Sequence, residues 1–141
     1  MESCVFCKIS AGAMPASWVY RDQTIMAFMD IQPVNQGHTL LVSTAHVPNI
    51  ADLDDSTTTR LFALARRITR TLYKTLECDG VNWLVADGEA AGQEVFHFHL
   101  HLIPRYHNDG FGFRFPDDYG DLPARQALDR TACAIRDRVE P

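Results

Sequence analysis

Short apolar segments separated by turn residues predict five strands in this chain. They cover residues 18–20, 24–29, 38–43, 81–85 and 97–102. The segment 38–43 is apolar almost throughout, which favours a central position in a sheet, because a strand covered on both faces needs no polar side. A further segment, 110–115, alternates between Phe and small or polar residues and is interpreted as an edge strand or an aromatic flap.

Apolar residues at helical spacing predict one long helix between the third and fourth strands. It begins near 54–56, where acidic and hydroxyl side chains can accept hydrogen bonds from unpaired N–H groups. Its apolar stripe consists of Leu61, Leu64, Ala65, Ile68, Leu72 and Leu76. A second helix is predicted over 122–139. The whole pattern predicts an α+β domain with about five mostly antiparallel strands, helices on one face and the histidines on the other.

The strand over 97–102 has the most informative pattern. Apolar and polar residues alternate strictly, so His97, His99 and His101 share one face. Same-face neighbours on a strand are about 6.6–6.8 Å apart. A half-buried strand whose solvated face carries histidines by chance is the plain alternative. Because three of the six histidines fall on alternate positions of one strand, we favour a chemical role.

Composition limits the classes of function. With 141 residues and a formal net charge of -5, the chain is expected to form one domain, 1–141, without the basic surface of a protein that binds nucleic-acid polymers. No segment approaches the roughly 20 apolar residues of a membrane span. The N-terminal residues lack the features of a signal peptide, so a cytoplasmic location is expected.

The four cysteines are then expected to be reduced. Cys4 and Cys7 have the spacing C-x-x-C, which favours a metal or redox pair over a structural disulfide. Cys78 and Cys133 are isolated, and we interpret both as buried free thiols.

Two chemistries use histidines at this spacing. One is a metal cage; the other is nucleophilic catalysis at phosphorus, in which one imidazole attacks and its neighbours hold phosphate oxygens. Three consecutive same-face residues converge only partly, which is unfavourable for a complete cage. The segment 88–95, directly before the histidines, could present several backbone N–H groups to an anion.

The stretch 92–103 resembles the signature of the histidine triad (HIT) superfamily of nucleotide hydrolases and transferases. Similar segments lie upstream, at residues 4–9, 28–31 and 37–42. The resemblance covers about residues 4–105 and leaves 106–141 as a C-terminal extension. It implies a HIT-like fold, an antiparallel sheet with helices that usually pairs into a homodimer.

The resemblance also implies a role for individual residues. His99 would be the nucleophile that attacks the α-phosphorus of a purine nucleotide conjugate and forms a covalent nucleotidyl-histidine, while His101 and His38 contact phosphate oxygens. Asp30 would accept hydrogen bonds from the ribose hydroxyls. The purine pocket is expected to be lined by Phe6, Ile9, Phe28 and Ile31. The phosphate is expected to meet Gly92, Gln93 and the backbone of Val95.

A structural zinc ion is the cofactor implied by the zinc-containing, bacterial-type branch of the superfamily. Two thiols lack the other two ligands of a structural site, and His46 and His97 are candidates to complete it. The resemblance therefore implies a zinc site formed by Cys4, Cys7, His46 and His97. The alternative is two buried thiols, a solvated His46 and a hydrogen-bonded His97.

Two residues depart from the family pattern and leave the function partly open. Ala86 stands where relatives usually have Asn or Gln, and Glu94 stands where they have Ser or Thr. A carboxylate at 94 would repel a polyphosphate unless it faces away or is protonated. The candidate substrates are a nucleoside phosphoramidate, a dinucleoside polyphosphate or an adenylated metabolite. The alternatives are a nucleotide-binding regulatory module with little turnover and a metal-dependent hydrolase.

Overall fold

A computed structural model of the chain describes residues 4–139. Its helices are α1 (Val5–Ser10), α2 (Asp55–Leu76) and α3 (Arg125–Arg136). Its strands are β1 (Trp18–Arg21), β2 (Ile25–Met29), β3 (Thr39–Ser43), β4 (Gly80–Leu84) and β5 (His99–Arg105). The chain divides into two compact units, with the boundary between Gly110 and Phe111.

The five strands form one sheet in the order β1-β2-β3-β5-β4, and every neighbouring pair is antiparallel. The predicted α+β class and the central position of β3 are therefore confirmed. All five residues of β3 are buried, which explains why its sequence is apolar nearly throughout rather than alternating. Within the described residues, no strand forms at 110–115, so the edge-strand interpretation of that segment is wrong.

The main core lies between the sheet and α2. The predicted stripe of α2 packs on side chains that point to the same face of β2, β3 and β5, namely Ile25, Ala27, Leu41, Leu100 and Leu102. Asp54 caps this helix by accepting a hydrogen bond from the Thr57 N–H at 2.8 Å, as its position before the first turn predicts. The core forms because side chains return to the same face every 3.6 residues in the helix and every two residues in the strands, and the apolar residues of both follow these periods.

A second, smaller core lies on the histidine face. Phe6 and Ile9 of α1 pack there on Met26, Phe28, Leu40 and Val42. The expectation that all helices lie on the other face is thus wrong, because α1 was not predicted. Six residues contain less than two helical turns, too few to display a helical period in the sequence.

The turn into β3 depends on a glycine. Gly37 has φ +90°, and a Cβ built on it would lie 2.2 Å from Cδ1 of Leu76 at the end of α2. The backbone conformation therefore favours glycine strongly, and any larger residue would in addition have to displace the Leu76 side chain. The next residue is His38, so the conformation of this turn sets the position of the first histidine of the site.

The unit that follows Gly110 differs from the expectation in two details. α3 is shorter than the predicted 122–139, and none of its side chains is buried. Cys133 is exposed on it, so the interpretation of that residue as a buried thiol is wrong, whereas Cys78 is buried in the main core.

Within residues 4–139, no helix is both long and apolar enough to cross a bilayer.

The turn between β1 and β2 is held by Asp22. This carboxylate accepts hydrogen bonds from the Thr24 and Ile25 N–H groups, at 2.8 Å each, and from the Tyr20 hydroxyl at 2.8 Å. Burial opposes ionisation, but these hydrogen bonds, foremost the two from the backbone, outweigh it and lower the pKa of Asp22 to about 2. The same carboxylate contacts Arg60 of α2 at 2.7 Å and so ties the helix to the sheet.

We expect Asp22→Ala to lower the free energy of unfolding by about 2 kcal/mol at neutral pH, because hydrogen bonds to a charged group are lost. A carboxyl group with a lowered folded pKa stabilises the fold above its unfolded pKa of about 3.9, and that contribution is lost as the pH falls through about 2. The difference from the parent should therefore shrink on acidification. Urea denaturation would measure it, with Asp129→Ala on exposed α3 as the control. A difference that persists undiminished at pH 2 would contradict this account.

Candidate active site

A cavity of about 300 Å³ opens on the histidine face of the sheet. This volume is at the lower end of the range of small-molecule sites. Of the residues predicted to form the site, nine line it: Phe6, Ile9, Phe28, Asp30, Ile31, Gly92, Val95, His99 and His101. α1, β2, β3, β5 and the loop before β5 contribute to its wall, so the structure brings together segments that are up to 96 residues apart (from Val5 to His101).

Strand register places the two histidines of β5 on the cavity face. His99 pairs with Val42 and His101 pairs with Leu40, and directly opposite residues in an antiparallel pair point to the same side. Leu40 in turn pairs with Phe28 of β2. The histidines therefore stand at one end of an apolar floor that continues across the sheet.

The orientation of the His99 ring is set by one hydrogen bond. Its Nδ1 lies 2.8 Å from the carbonyl oxygen of His97. A carbonyl can only accept, so Nδ1 carries the proton and Nε2 keeps its lone pair. Phe6 packs edge-on against this ring at 5.2 Å between centroids. His99 is thus held as a neutral imidazole with a nucleophilic nitrogen, and burial lowers its pKa.

His101 is oriented as a hydrogen-bond donor by His38. The Val34 N–H donates to Nδ1 of His38 at 3.2 Å, so Nε2 of His38 carries the proton. That Nε2 lies 2.9 Å from Nδ1 of His101, which therefore accepts. A neutral imidazole carries one N–H, so the proton of His101 is on Nε2. Two histidines on one strand thereby receive opposite tautomers, one suited to attack and the other to donation.

Burial and neighbouring imidazoles keep His101 uncharged. Burial first, then the proximity of His99 and His38, lower its pKa to about 4, although Asp30 acts in the opposite direction. Burial also lowers the pKa of His38, against the same carboxylate. At neutral pH these rings act through oriented N–H groups and lone pairs and contribute no net positive charge.

Asp30 lies where β2 leaves the sheet. One carboxylate oxygen accepts the Gln32 N–H at 2.8 Å, and the other is 3.6 Å from Nε2 of His38. The residue is half-buried and lines the cavity, so its carboxylate borders the space that a ligand would occupy.

His38 and Gln93 are not among the residues that line the cavity. His38 is buried behind His101. Gln93 is also buried, and its amide donates to the carbonyls of Pro48 and Val95 at 2.7 and 3.2 Å while its oxygen accepts the Gly88 N–H at 2.8 Å. These hydrogen bonds shape the loop before β5. In this geometry Gln93 holds the loop rather than meeting a phosphate through its side chain.

His97 belongs to a separate cluster at the edge of the cavity. It lies at the bend just before β5, completely buried, and its Nε2 donates to the carbonyl of Ser43 at 2.8 Å. The lone pair on Nδ1 therefore faces the sulfur atoms of Cys4 and Cys7, at 3.4 and 3.6 Å, and Nδ1 of His46, at 3.3 Å. Cys7 is itself 3.3 Å from His46.

This cluster has the dimensions of a tetrahedral zinc site. Zinc bound at about 2.3 Å to sulfur and about 2.0–2.1 Å to nitrogen places its ligand atoms about 3.3–3.8 Å apart. Four of the six separations are 3.3 to 3.6 Å and fall in this range, and all four ligand atoms lie within 4.8 Å of one another. The hydrogen bond from His97 to a backbone carbonyl is the outer contact that orients a metal-binding imidazole. The residues present are compatible with zinc.

Several residues of the site were not predicted from the sequence. The cavity wall also includes Val5, Pro15, Ala16, Met29, Gln32, Leu40 and Glu94. Leu40 was detectable, because it is two residues from His38 on one strand and hence on the same face. The Val34 N–H and the His97 carbonyl carry no side-chain signal, and their roles depend on the folded backbone.

Comparison with known proteins places this site in a family. A model described as the HIT domain matches residues 11–108. The chain is 44% identical over 112 residues to Protein hit of Bacillus subtilis, which covers 79% of this chain and 77% of that protein. It is 35% identical over 108 residues to the adenylylsulfatase HINT3 of Arabidopsis thaliana, covering 77% of this chain and 55% of the plant protein.

Two solved structures are similar along almost the whole chain. A member of the HIT family of proteins from Bacillus subtilis has a TM-score of 0.90 and 37% identity, and the match covers 99% of each chain. A zinc-bound histidine triad family protein from Mycobacterium smegmatis has a TM-score of 0.74 and 38% identity, covering 94% of this chain and 98% of the other.

The fold and the site together define a class of protein. Its members have a five-stranded antiparallel sheet with histidines beside a cavity of small-molecule size. The chain belongs to the HIT, or histidine triad, family. Membership supports a nucleotide-binding or nucleotide-hydrolase function in general, and the recognition made from the segment 92–103 is confirmed.

The oriented pair of histidines predicts an unusual titration. The imidazole C–H resonances of His101 should change little between pH 8 and pH 5 in an NMR titration and move with a midpoint near 4, because the ring is neutral above its lowered pKa. A solvated histidine titrates near 6.5. A His101 midpoint close to 6.5 would contradict the buried, hydrogen-bonded arrangement.

Proposed function

We propose that this protein cleaves or transfers at the α-phosphate of purine nucleotide conjugates through a covalent nucleotidyl intermediate on His99. The observation that carries the proposal is the pair of tautomers beside the cavity. His99 offers an in-plane lone pair on Nε2, and His101 offers an N–H on its own Nε2. An enzyme that attacks phosphorus needs this combination of a nucleophile and a fixed donor.

In the first step, Nε2 of His99 attacks the α-phosphorus. The N–P bond forms as the bond from phosphorus to the leaving group breaks, and the electron pair departs with the leaving group. The N–H of His101 stabilises the negative charge that develops on the phosphate oxygens. His38 acts through His101, because it holds that ring in the donating tautomer.

In the second step, water or another acceptor attacks the same phosphorus. The N–P bond breaks, His99 regains its lone pair, and the nucleoside monophosphate leaves. The proton of the attacking water passes to solvent. Division of one displacement into two steps lowers each barrier, and the protein ends in the state in which it began.

The apolar end of the cavity is suited to a base. Phe6 and Phe28 pack against each other at 5.7 Å between ring centroids, and Ile9 and Ile31 line the same region. We assign the purine to this region and the ribose hydroxyls to Asp30. A plant relative is named an adenylylsulfatase, and this name is in keeping with a reaction at an adenylyl group.

We further propose that Cys4, Cys7, His46 and His97 bind one structural zinc ion. The ligand separations above and the zinc-bound mycobacterial relative support the proposal. Four protein ligands leave no open position, so the ion supplies stability and not a site for substrate. It would join the segment before α1 to the bend before β5.

Two properties implied by the family stay predictions. One is a homodimer. β4 is an edge of the sheet, and the Trp83 ring on it lies 5.9 Å from the ring of Phe62 of α2, tilted by 39°. Both residues are partly exposed, which supports pairing through this side. The other is a cytoplasmic location.

We expect His99→Ala to reduce AMP release from adenylated compounds by at least about 1,000-fold while AMP binding stays within about threefold, since the change removes the attacking nitrogen and spares the base pocket. A nucleotide labelled at its α-phosphate should leave acid-labile label on the parent and none on the variant. His107→Ala, an exposed histidine elsewhere, is the matched control. Near-parent turnover by His99→Ala would rule out the covalent mechanism. Tight AMP binding without measurable turnover by the parent would favour the regulatory module.

The zinc proposal predicts about one equivalent of zinc per chain in freshly purified protein. Cys7→Ser should lose the metal and lower the free energy of unfolding by about 3 kcal/mol, because a ligand at 100 times its Kd stabilises the native state by about that amount. Cys133→Ser, which removes an exposed thiol on α3, should change neither quantity. Metal analysis and urea denaturation would measure both. Parent protein with well below stoichiometric zinc would contradict the proposal.

A further inference from the structure

The hydrogen bond between His38 and His101 can form in either direction. Each neutral imidazole has one N–H and one lone pair, so reversal of both tautomers gives a second N–H···N bond between the same atoms. Asp30 does not select a direction, since its carboxylate lies 3.6 Å from Nε2 of His38 and 4.0 Å from Nδ1 of His101. In the reversed arrangement Nε2 of His101 has a lone pair and cannot donate to a ligand.

One backbone group selects the direction. Within residues 4–139, the Val34 N–H forms the one hydrogen bond to either ring apart from the bond that joins the two rings. It donates to Nδ1 of His38 at 3.2 Å and therefore excludes a proton from that nitrogen. The N–H of His101 thus depends on the position of the Val34 backbone.

Val34 belongs to a loop, residues 31–36, that burial does not hold in place. Every residue of this loop is exposed except Asn35, which is half-buried. In the described part of the chain, Asn35 is also the one member of the loop whose side chain forms hydrogen bonds with another segment. The Val34 N–H is therefore positioned through its neighbour in the sequence.

The side chain of Asn35 is hydrogen-bonded to the strand that carries His101. Its Nδ2 donates to the carbonyl of Pro104 on β5 and to the Asp109 carboxylate, both at 2.8 Å, so both of its N–H groups are used. The backbone carbonyl of Asn35 accepts the His38 N–H at 3.1 Å. We call the two side-chain hydrogen bonds the Asn35 anchor, since they join the loop and His38 to β5.

Asp109 is a fixed acceptor for this anchor. Its side chain is 6% exposed and accepts two hydrogen bonds from the Arg105 guanidinium, at 2.7 Å each, and one from the Tyr106 N–H at 3.2 Å. Arg105 also donates to Oδ1 of Asn82 on β4. A buried carboxylate requires such partners, and here they tie Asp109 to two strands of the sheet.

We propose that Asn35, held by Asp109, is a positioning residue that fixes the direction of the hydrogen bond between His38 and His101. The anchor keeps the Val34 N–H on His38 and so keeps an N–H of His101 available to a ligand. Without the anchor the two arrangements are close in free energy, and both are populated. The effect on turnover rests on the proposed function, whereas the effect on the tautomers needs no reaction.

Imidazole ¹⁵N chemical shifts test the proposal directly, because protonated and unprotonated ring nitrogens have well-separated shifts. At neutral pH both rings of the parent are uncharged, and each should show an unprotonated Nδ1 and a protonated Nε2. In Asn35→Ala the shifts of both rings should move toward averaged values. Asn35→Asp, which replaces both donors with acceptors, should move them further.

Gln36→Ala is the matched control. Gln36 is an exposed amide in the same loop, and within residues 4–139 its side chain forms no hydrogen bond. Its removal should leave the parent shifts unchanged. A dispersed amide spectrum shows that each variant is folded. Parent-like ring shifts in folded Asn35→Ala and Asn35→Asp would overturn the proposal.

Turnover then tests what the anchor contributes to catalysis. For AMP release from adenosine 5′-phosphoramidate, kcat should fall about 100-fold in Asn35→Ala, the scale for a site displaced by a distant change, while AMP binding stays within about threefold. Gln36→Ala should match the parent. Asp109→Asn should lower kcat as well, and the double variant should lie within about twofold of Asn35→Ala, because residues that act through one another are not additive.

The outcomes separate this proposal from the proposed function. If the ring shifts change in Asn35→Ala but kcat does not, the positioning role is overturned, and loss of release in His99→Ala leaves the proposed function standing. Independent losses that multiply in the double variant would overturn the part assigned to Asp109. If the parent releases no AMP, or His99→Ala retains release, the proposed function is overturned, and the ring shifts by themselves decide whether the anchor fixes the tautomers.

Discussion

The arrangement of the site depends on the hydrogen bonds of one buried residue, His97. Its carbonyl accepts the Nδ1 proton of His99 and so leaves Nε2 of that ring unprotonated. Its own ring donates from Nε2 to the Ser43 carbonyl, which turns the Nδ1 lone pair toward Cys4 and Cys7. One residue therefore sets the tautomer of the proposed nucleophile and orients the proposed zinc site. The first contact is made by the backbone of His97 and the second by its ring, so a substitution there would remove the ring that faces the cysteines and keep the carbonyl.

The two faces of the sheet have different roles: one forms the main core and the other carries the candidate site. One face is sealed by the apolar stripe of α2 and forms the main core. The other carries a smaller apolar cluster under α1, and the cavity opens beside it. Because period-two alternation assigns adjacent residues to opposite faces, Leu100 can be a core residue between His99 and His101. Rigid strands thus hold the two imidazoles without placing either of them in the main core.

Neutrality is the second property of the site that depends on its surroundings. Burial lowers the pKa values of His38 and His101, and hydrogen bonds assign each ring a donor and an acceptor side. A site built from uncharged imidazoles and two carboxylates differs electrostatically from one that clamps phosphates with lysine or arginine.

The sequence alone determined the features that follow from local periodicity. The alternation in 97–102, the stripe that begins at Leu61 and the apolar segment 38–43 specified the sheet, the long helix and the face that carries the histidines, since strand and helix periods are properties of neighbouring residues. Tertiary structure decided what depends on backbone groups and distant segments. The Val34 N–H and the His97 carbonyl fix tautomers that no side-chain pattern encodes, and six-residue α1 becomes a wall of the cavity because packing on the sheet stabilises a helix too short to form alone.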